Sequence, residues 1–242
     1  SYAVNRFYGG EMACAGMLYA PSIGGFYPGQ PQKSYTEAYR LGFFDHGYAR
    51  DITGLTAAYV AKAMEPGVKP EQIALITREV DPLRYFNSRL IGRLAYASYT
   101  ASKEIAYKAK ALTEKDVDPG LRVPKNFKGS RLEYAQLSKA YELMDARLQD
   151  IPFHAGEIHF INLMALEYSE GDFRKAMEFV VNYGRDNDTV AAITGAILGA
   201  YWGYDGLPEG LKEKSLKATR ELVGIDLEDL ARRTVEAAYR GG

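Results

Sequence analysis

The chain has 242 residues, 47% of them hydrophobic, one cysteine and a formal net charge of −1. That length and composition allow a substantial core in one large or two small domains. The near-neutral charge argues against general nucleic-acid binding, and one cysteine excludes an internal disulfide framework. No apolar run reaches the ~20 residues of a membrane span, and we see no signal peptide. We therefore expect no membrane partner and a cytoplasmic location.

The pattern along the chain is helical. Residues 11–20 form a candidate short helix in a segment rich in Gly, Tyr and Pro. Ser34 and Glu37 then predict a capping box and a helix over about 34–44. Periodicity and helix-end residues predict further helices at about 51–64, 70–78, 82–112 (one helix, or two broken near Gly92), 131–148, 154–168, 172–182, 188–203, 208–223 and 227–239. The polar segment 113–130 is predicted to be a surface loop or insertion. Few segments alternate with period two, so we predict a single all-α domain.

Asp186, Asp188 and Thr189 place two carboxylates and a hydroxyl at the start of the helix predicted over 188–203. Asp188 could be a simple N-cap, worth about 0.3–1 kcal/mol, but a cap leaves Asp186 and Thr189 unexplained. Neighbouring carboxylates repel, and a proton or a cation relieves the repulsion. Oxygen-only ligands suit a hard cation such as Mg²⁺, and less specifically Mn²⁺ or Ca²⁺. The pattern therefore indicates a metal site, with the cap as the alternative.

Small residues recur every four positions along the same helix, at Ala191, Gly195, Gly199 and Gly203. Each glycine inside a helix costs about 1 kcal/mol relative to alanine. We expect close packing of neighbouring helices to offset this cost, which makes the helix the centre of the fold.

The run GRDNDTVAAITGAILGAYWG at 184–203, followed by Leu207 and Pro208, resembles the C-terminal metal motif of the ADP-ribosylglycohydrolase family. The family includes relatives of the J-type crystallins. Its pattern is approximately G-x-D-x-D-T, then A-A-x-x-G-A-x-x-G-A and a downstream proline. Residues 154–184 resemble the family's preceding helix pair, including the hinge GDFRKA at 171–176.

A weaker resemblance covers residues 9–51. It matches the family's glycine-containing substrate loop, followed by a helix that ends in a histidine. The resemblance implies that Gly9, Gly10 and Glu11 form the phosphate-side loop and that His46 lines the nucleotide pocket. Relatives often carry a Met-Arg pair after the loop, whereas Met17 is followed here by leucine.

The resemblance implies an all-α orthogonal bundle around two Mg²⁺ ions, with Mn²⁺ as a possible substitute. Asp186, Asp188 and Thr189 would be metal ligands. The implied reaction hydrolyses the glycosidic bond at the anomeric carbon of ADP-ribose attached to an acceptor, so the expected partner is ADP-ribose or an ADP-ribosylated protein. The alternative is a diverged relative that binds such ligands without catalysis or has a structural role.

Two family motifs, an N-terminal G-D-x-x-G and a T-D-D type, have no counterpart here, since Asp45 and Asp51 around His46 do not match them. We therefore expect the chain to correspond to the C-terminal portion of the family and to lack one half of the metal site. A missing N-terminal segment or a second chain would complete it. The catalytic carboxylate is not assigned.

Two histidine clusters have competing interpretations. His154 and His159 lie about 140° apart on a helix, so zinc binding with Glu157 is disfavoured. We expect a helix start at His154, and the alternative is that one of the two histidines faces the ligand cleft. His46 with Asp45 and Asp51 forms either a general-base cluster or a histidine held by structural hydrogen bonds.

Overall fold

The computed structural model describes residues 12–43, 45–81 and 93–240. The α-helices in these ranges are α1 (Ala15–Phe26), α2 (Pro31–Leu41), α3 (Tyr48–Ala63), α4 (Pro70–Glu79), α5 (Leu94–Lys110), α6 (Arg131–Asp145), α7 (Ala155–Ser169), α8 (Phe173–Tyr183), α9 (Asn187–Gly206), α10 (Glu209–Ala218) and α11 (Leu227–Arg240). A 3-10 turn lies at Glu114–Asp116, and a π-helical segment, Thr219–Val223, extends α10. The predicted all-α fold is confirmed, and most predicted helices agree with the observed ones to within a turn. Part of the helix predicted over 82–112 lies outside the described residues.

The predicted capping box at Ser34 and Glu37 is wrong. Helix α2 begins one turn earlier, with Pro31 in its first turn, so Ser34 lies inside the helix and is buried. Proline favours a first helical position because its φ is already helical and the position has no intrahelical use for an amide hydrogen. That preference set the start of α2.

Helices α3 and α7 form the centre of the core. Helix α3 contacts α1, α2, α4, α5, α7 and α9. Thirteen of the fifteen residues of α7 are buried. A helix that is apolar on every side must be surrounded by other elements, which is the position that α7 occupies.

Helix α9, the small-residue helix, packs against α8, α3, α7 and α1. It does so through Val190, Ile193, Ile197 and Leu198, rather than through its glycines. Among the described residues, a Cβ on Gly199 would meet nothing within 4 Å, and one on Gly195 would make only ordinary contact with Met177, 3.7 Å away. The expected close approach at these glycines is therefore not observed within the described ranges. Gly203, with φ 68°, breaks the helix near its end.

The C-terminal helices lie on the surface, since α10 and α11 contain no buried residue. Within the part of the chain that the structure describes, no helix combines the length and apolar character needed to cross a membrane.

Candidate metal site

The aspartate pair lies at a sharp turn between α8 and α9. Gly184 and Arg185 follow the end of α8 with positive φ angles of 90° and 60°. Glycine adopts such angles freely, whereas a non-glycine residue pays a steric cost. Asp186 follows as the N-cap residue of α9. The turn thus directs the chain into α9 and presents Asp186 and Asp188 at its positive end.

Asp186 is half-buried, Asp188 is exposed and Thr189 is buried. The N-cap residue is Asp186, not Asp188 as the cap interpretation supposed, and its carboxylate lies near both the backbone amide and the hydroxyl of Thr189. Burial is the main cause that raises the pKa of Asp186; the Thr189 hydroxyl lowers it, and Asp188 raises it. Two carboxylates and a hydroxyl therefore meet here, and a cation would relieve the unfavourable environment of Asp186.

Cys14 lies among three carboxylates. Burial raises the pKa of its thiol to about 11, and the negative charges of Asp186, Asp45 and Asp188 contribute in the same direction. Cys14 therefore lies near two other segments: the turn at 184–189, here called the aspartate turn, and the loop before α3 that carries Asp45. His46 follows Asp45 in that loop and is exposed.

Backbone hydrogen bonds attach the start of α1 to the start of α7. The amide of Cys14 donates to the carbonyl of Phe153 at 3.1 Å, and the amide of Ala155 donates to the carbonyl of Met12 at 2.6 Å. This short antiparallel bridge places the first residues of α7 beside Cys14.

Asp45 and Asp51 have structural partners. Asp45 accepts hydrogen bonds from the Gly16 amide at 3.3 Å and from the Thr53 hydroxyl at 2.6 Å, joining α1 to α3. Asp51 forms a two-bond ion pair with the buried Arg93, at 2.9 and 2.8 Å. These contacts favour a structural role for both carboxylates. The role of His46 in a nucleotide pocket stays a prediction, and Gly9, Gly10 and Glu11 lie outside the described residues.

The other two histidines have separate roles. His154 is the N-cap of α7 and accepts a hydrogen bond from the Gly156 amide at Nδ1, as expected. His159 is buried and stacks on Tyr59 with ring centroids 5.9 Å apart. Over the ranges that the structure describes, no group of three or more His, Cys, Asp or Glu side chains could hold a metal ion. Asp186, Asp188 and Thr189 still fit part of a shell for a hard cation, because they supply oxygen donors from three side chains within four consecutive residues.

One ion pair at the site has no signature in sequence. Glu157, buried in the first turn of α7, binds Arg185 in the aspartate turn. The two residues are 28 positions apart, and only the unusual placement of an arginine between Gly184 and Asp186 hints at a specific partner.

The fold and this turn define an all-α protein with paired carboxylates at the N-terminus of a core helix. A sequence model of the ADP-ribosylglycohydrolase family matches residues 3–242, and the chain belongs to that family. Its members are glycosidic-bond hydrolases of ADP-ribose linkages and are generally metal-dependent. The match extends over nearly the whole chain, so the expectation that it corresponds only to the family's C-terminal portion is not borne out. No curated protein and no solved structure matched in the corresponding searches.

Proposed function

We propose that this protein is a Mg²⁺-dependent hydrolase that cleaves the bond between the anomeric carbon of ADP-ribose and an acceptor. Asp186, Asp188 and Thr189 are the proposed metal ligands. The observation that carries this proposal is the clustering at the start of α9: the half-buried Asp186 carboxylate lies beside both the Asp188 carboxylate and the Thr189 hydroxyl. A cap accounts for the contact of Asp186 with the Thr189 amide, but not for the second carboxylate and the hydroxyl held beside it.

Each residue has a defined task in this proposal. The two carboxylates hold the cation, and the Thr189 hydroxyl adds a third oxygen beside them. A bound Mg²⁺ supplies an orienting point for the ribose hydroxyls and an activated water. Three protein oxygens fill half of an octahedral shell, so the others come from water, substrate or residues beyond the described ranges.

The negative charge of the site suits the chemistry. Cleavage of a glycosidic bond passes through a transition state with positive charge on the anomeric carbon. Carboxylates near that carbon favour the charge as it develops. Asp45, Asp186 and Asp188 make the neighbourhood of Cys14 negatively charged, since each raises the pKa of its thiol.

The deciding experiment is calorimetric titration of ADP-ribose into the protein with and without Mg²⁺, followed by incubation with ADP-ribosylated peptides. We expect Mg²⁺-dependent binding and release of free ADP-ribose. Binding without release would favour a relative that has kept the ligand and lost the hydrolysis. Failure to bind ADP-ribose in saturating Mg²⁺ would reject the proposal.

A further inference from the structure

The buried carboxylate of Glu157 makes three hydrogen bonds. Its Oε1 accepts from Nε of Arg185 at 2.7 Å, and its Oε2 accepts from Nη2 of Arg185 at 3.0 Å. The backbone amide of Gln149 donates to Oε2 at 2.7 Å. The Glu157 side chain is 1% exposed and the Arg185 side chain 28%. A two-bond fork of this kind fixes direction as well as distance.

The same arginine is tied to a second point. Its Nη2 also donates to the carbonyl of Gln149 at 3.0 Å. The hydrogen bond to Glu157 is the main cause that raises the pKa of Arg185, so the guanidinium keeps its charge. Arg185 is therefore held by the N-terminus of α7 and by the chain that precedes it.

The backbone of Arg185 explains why such an attachment is needed. Its φ of 60° lies in the left-handed region, which costs a non-glycine residue about 1–2 kcal/mol. Strained residues persist where surrounding contacts over-determine them, and they concentrate at functional sites. A glycine or asparagine would adopt this angle with less strain, but neither could reach Glu157.

We propose that Glu157 is a positioning residue for the metal site: acting through Arg185, it holds the left-handed turn that places Asp186 at the start of α9. The bridge to Met12 and Cys14 fixes the start of α7, α7 carries Glu157, Glu157 holds Arg185, and Arg185 is bonded to Asp186. This inference rests on the proposed function, because it assumes that Asp186 is a metal ligand.

The test compares Glu157→Gln and Arg185→Lys with the wild type, using Mn²⁺ alone as the probe and electron paramagnetic resonance to measure its binding. Glutamine keeps the shape of Glu157 and removes its charge. Lysine keeps the charge of Arg185 and removes the fork. We expect each variant to bind Mn²⁺ about 10–100-fold more weakly, as is typical when an outer partner of a metal ligand is lost. The double variant should bind Mn²⁺ only slightly more weakly than the single variant with the lower affinity, since both substitutions break the same Glu157–Arg185 contact.

Thr194→Val is the matched control. Thr194 lies in α9 and donates a buried hydrogen bond to Asn162, so its loss weakens the fold without touching the turn. We expect a lower unfolding temperature and unchanged Mn²⁺ affinity. Hydrogen exchange of the metal-free proteins gives a second measurement, in which Glu157→Gln should speed exchange over 184–190 and at the Gln149 amide, which Glu157 also binds, and leave the other helices unchanged. Arg185→Lys carries the test if Glu157→Gln does not fold, because Arg185 is partly exposed.

The outcomes are distinct. Wild-type affinity for Mn²⁺ in folded Glu157→Gln or Arg185→Lys protein would overturn the inference, even if exchange at the turn increases. An equal loss of affinity in Thr194→Val would also overturn it, because general destabilisation would then be the cause. Absence of Mn²⁺ binding by the wild type itself would reject the proposed metal site, and this inference with it.

Discussion

Gly16 and Asp45 are packed so closely that a Cβ on residue 16 would lie 1.9 Å from Oδ2 of Asp45. The Gly16 amide also donates a hydrogen bond to the other carboxylate oxygen. Only a residue without a side chain allows the first turn of α1 to approach this buried carboxylate. Asp45 in turn binds Thr53 of α3, so the contact joins two core helices beside the proposed site.

Gly16→Ala should therefore displace Asp45 and break its hydrogen bond to Thr53. We expect a loss of about 1–3 kcal/mol or more in the free energy of unfolding, measured by urea denaturation. Gly25→Ala, in the same helix, is the control, because a Cβ there would meet nothing within 4 Å among the described residues. Alanine should leave stability unchanged or raise it by about 0.5–1 kcal/mol at that position. Equal stability of the two variants would contradict the packing argument.

Asp188→Ala should separate metal binding from stabilisation of the helix dipole. Asp188 is exposed in the first turn of α9, so its structural contribution is limited to about 0.3–1 kcal/mol from the helix dipole. We expect Mn²⁺ affinity to fall by more than the about 10–100-fold expected for Glu157→Gln, because Asp188 is itself a proposed ligand. The unfolding temperature should change little. Asp205→Ala, an exposed change at the other end of α9, should leave both quantities unchanged. Loss of stability with unaltered Mn²⁺ binding would instead support an interaction of Asp188 with the helix dipole alone.

His159 should make the fold sensitive to acid. Burial lowers its pKa to about 4; the charge of Asp51 raises it and that of Arg93 lowers it. The unfolded chain takes up this proton near pH 6.5, so the stabilising contribution is complete above that pH. It is lost as the pH falls from about 6.5 to about 4, in total about 3 kcal/mol. His159→Phe, which keeps a ring against Tyr59, should flatten this dependence in urea unfolding between pH 6.5 and 4.5.

The same variant at pH 8 isolates packing, because both the native and the unfolded histidine are neutral there. Any difference from the wild type at pH 8 reports the altered ring, and only the additional change on acidification reports protonation. An identical pH slope in the two proteins would rule out His159 as the source.

Cys14 should react slowly in the folded protein. Burial and the neighbouring carboxylates raise its pKa from 9.0 to about 11, which lowers the thiolate fraction about 100-fold near pH 8. The side chain is also only 7% exposed, which slows access further. We expect iodoacetamide labelling, followed by mass spectrometry, to be at least about 100-fold slower in native than in urea-unfolded protein. Similar rates in both states would show that Cys14 is accessible.

The helices could be predicted from sequence because apolar periodicity and helix-end residues are properties of short segments of the chain. Periodicity and helix-end residues predicted helices at 131–148 and 70–78, and α6 and α4 lie there. The start of α2 was predicted wrongly because the segment contains two helix-start signals, Ser34 with Glu37 and Pro31, and the helix begins at Pro31. The candidate metal ligands could also be found from sequence, because Asp186, Asp188 and Thr189 lie within four consecutive residues.

Contacts between distant residues could not be predicted in this way. Nothing in the sequence pairs Glu157 with Arg185 or Gly16 with Asp45, because each contact depends on how separate helices cross. For the glycines of α9, the sequence predicted a close contact that the structure does not show among the described residues. A regular spacing suggested close packing, but spacing describes one helix and does not say which of its faces a neighbour covers.

The bridge between Met12–Cys14 and Phe153–Ala155 is made of main-chain amides and carbonyls. Such bonds do not depend on which side chains the four residues carry, apart from proline. Substitutions along this stretch can therefore reshape the wall around the aspartate turn while its scaffold stays fixed. Among the descendants of one family, that independence lets side chains beside the aspartate turn change without moving the turn itself.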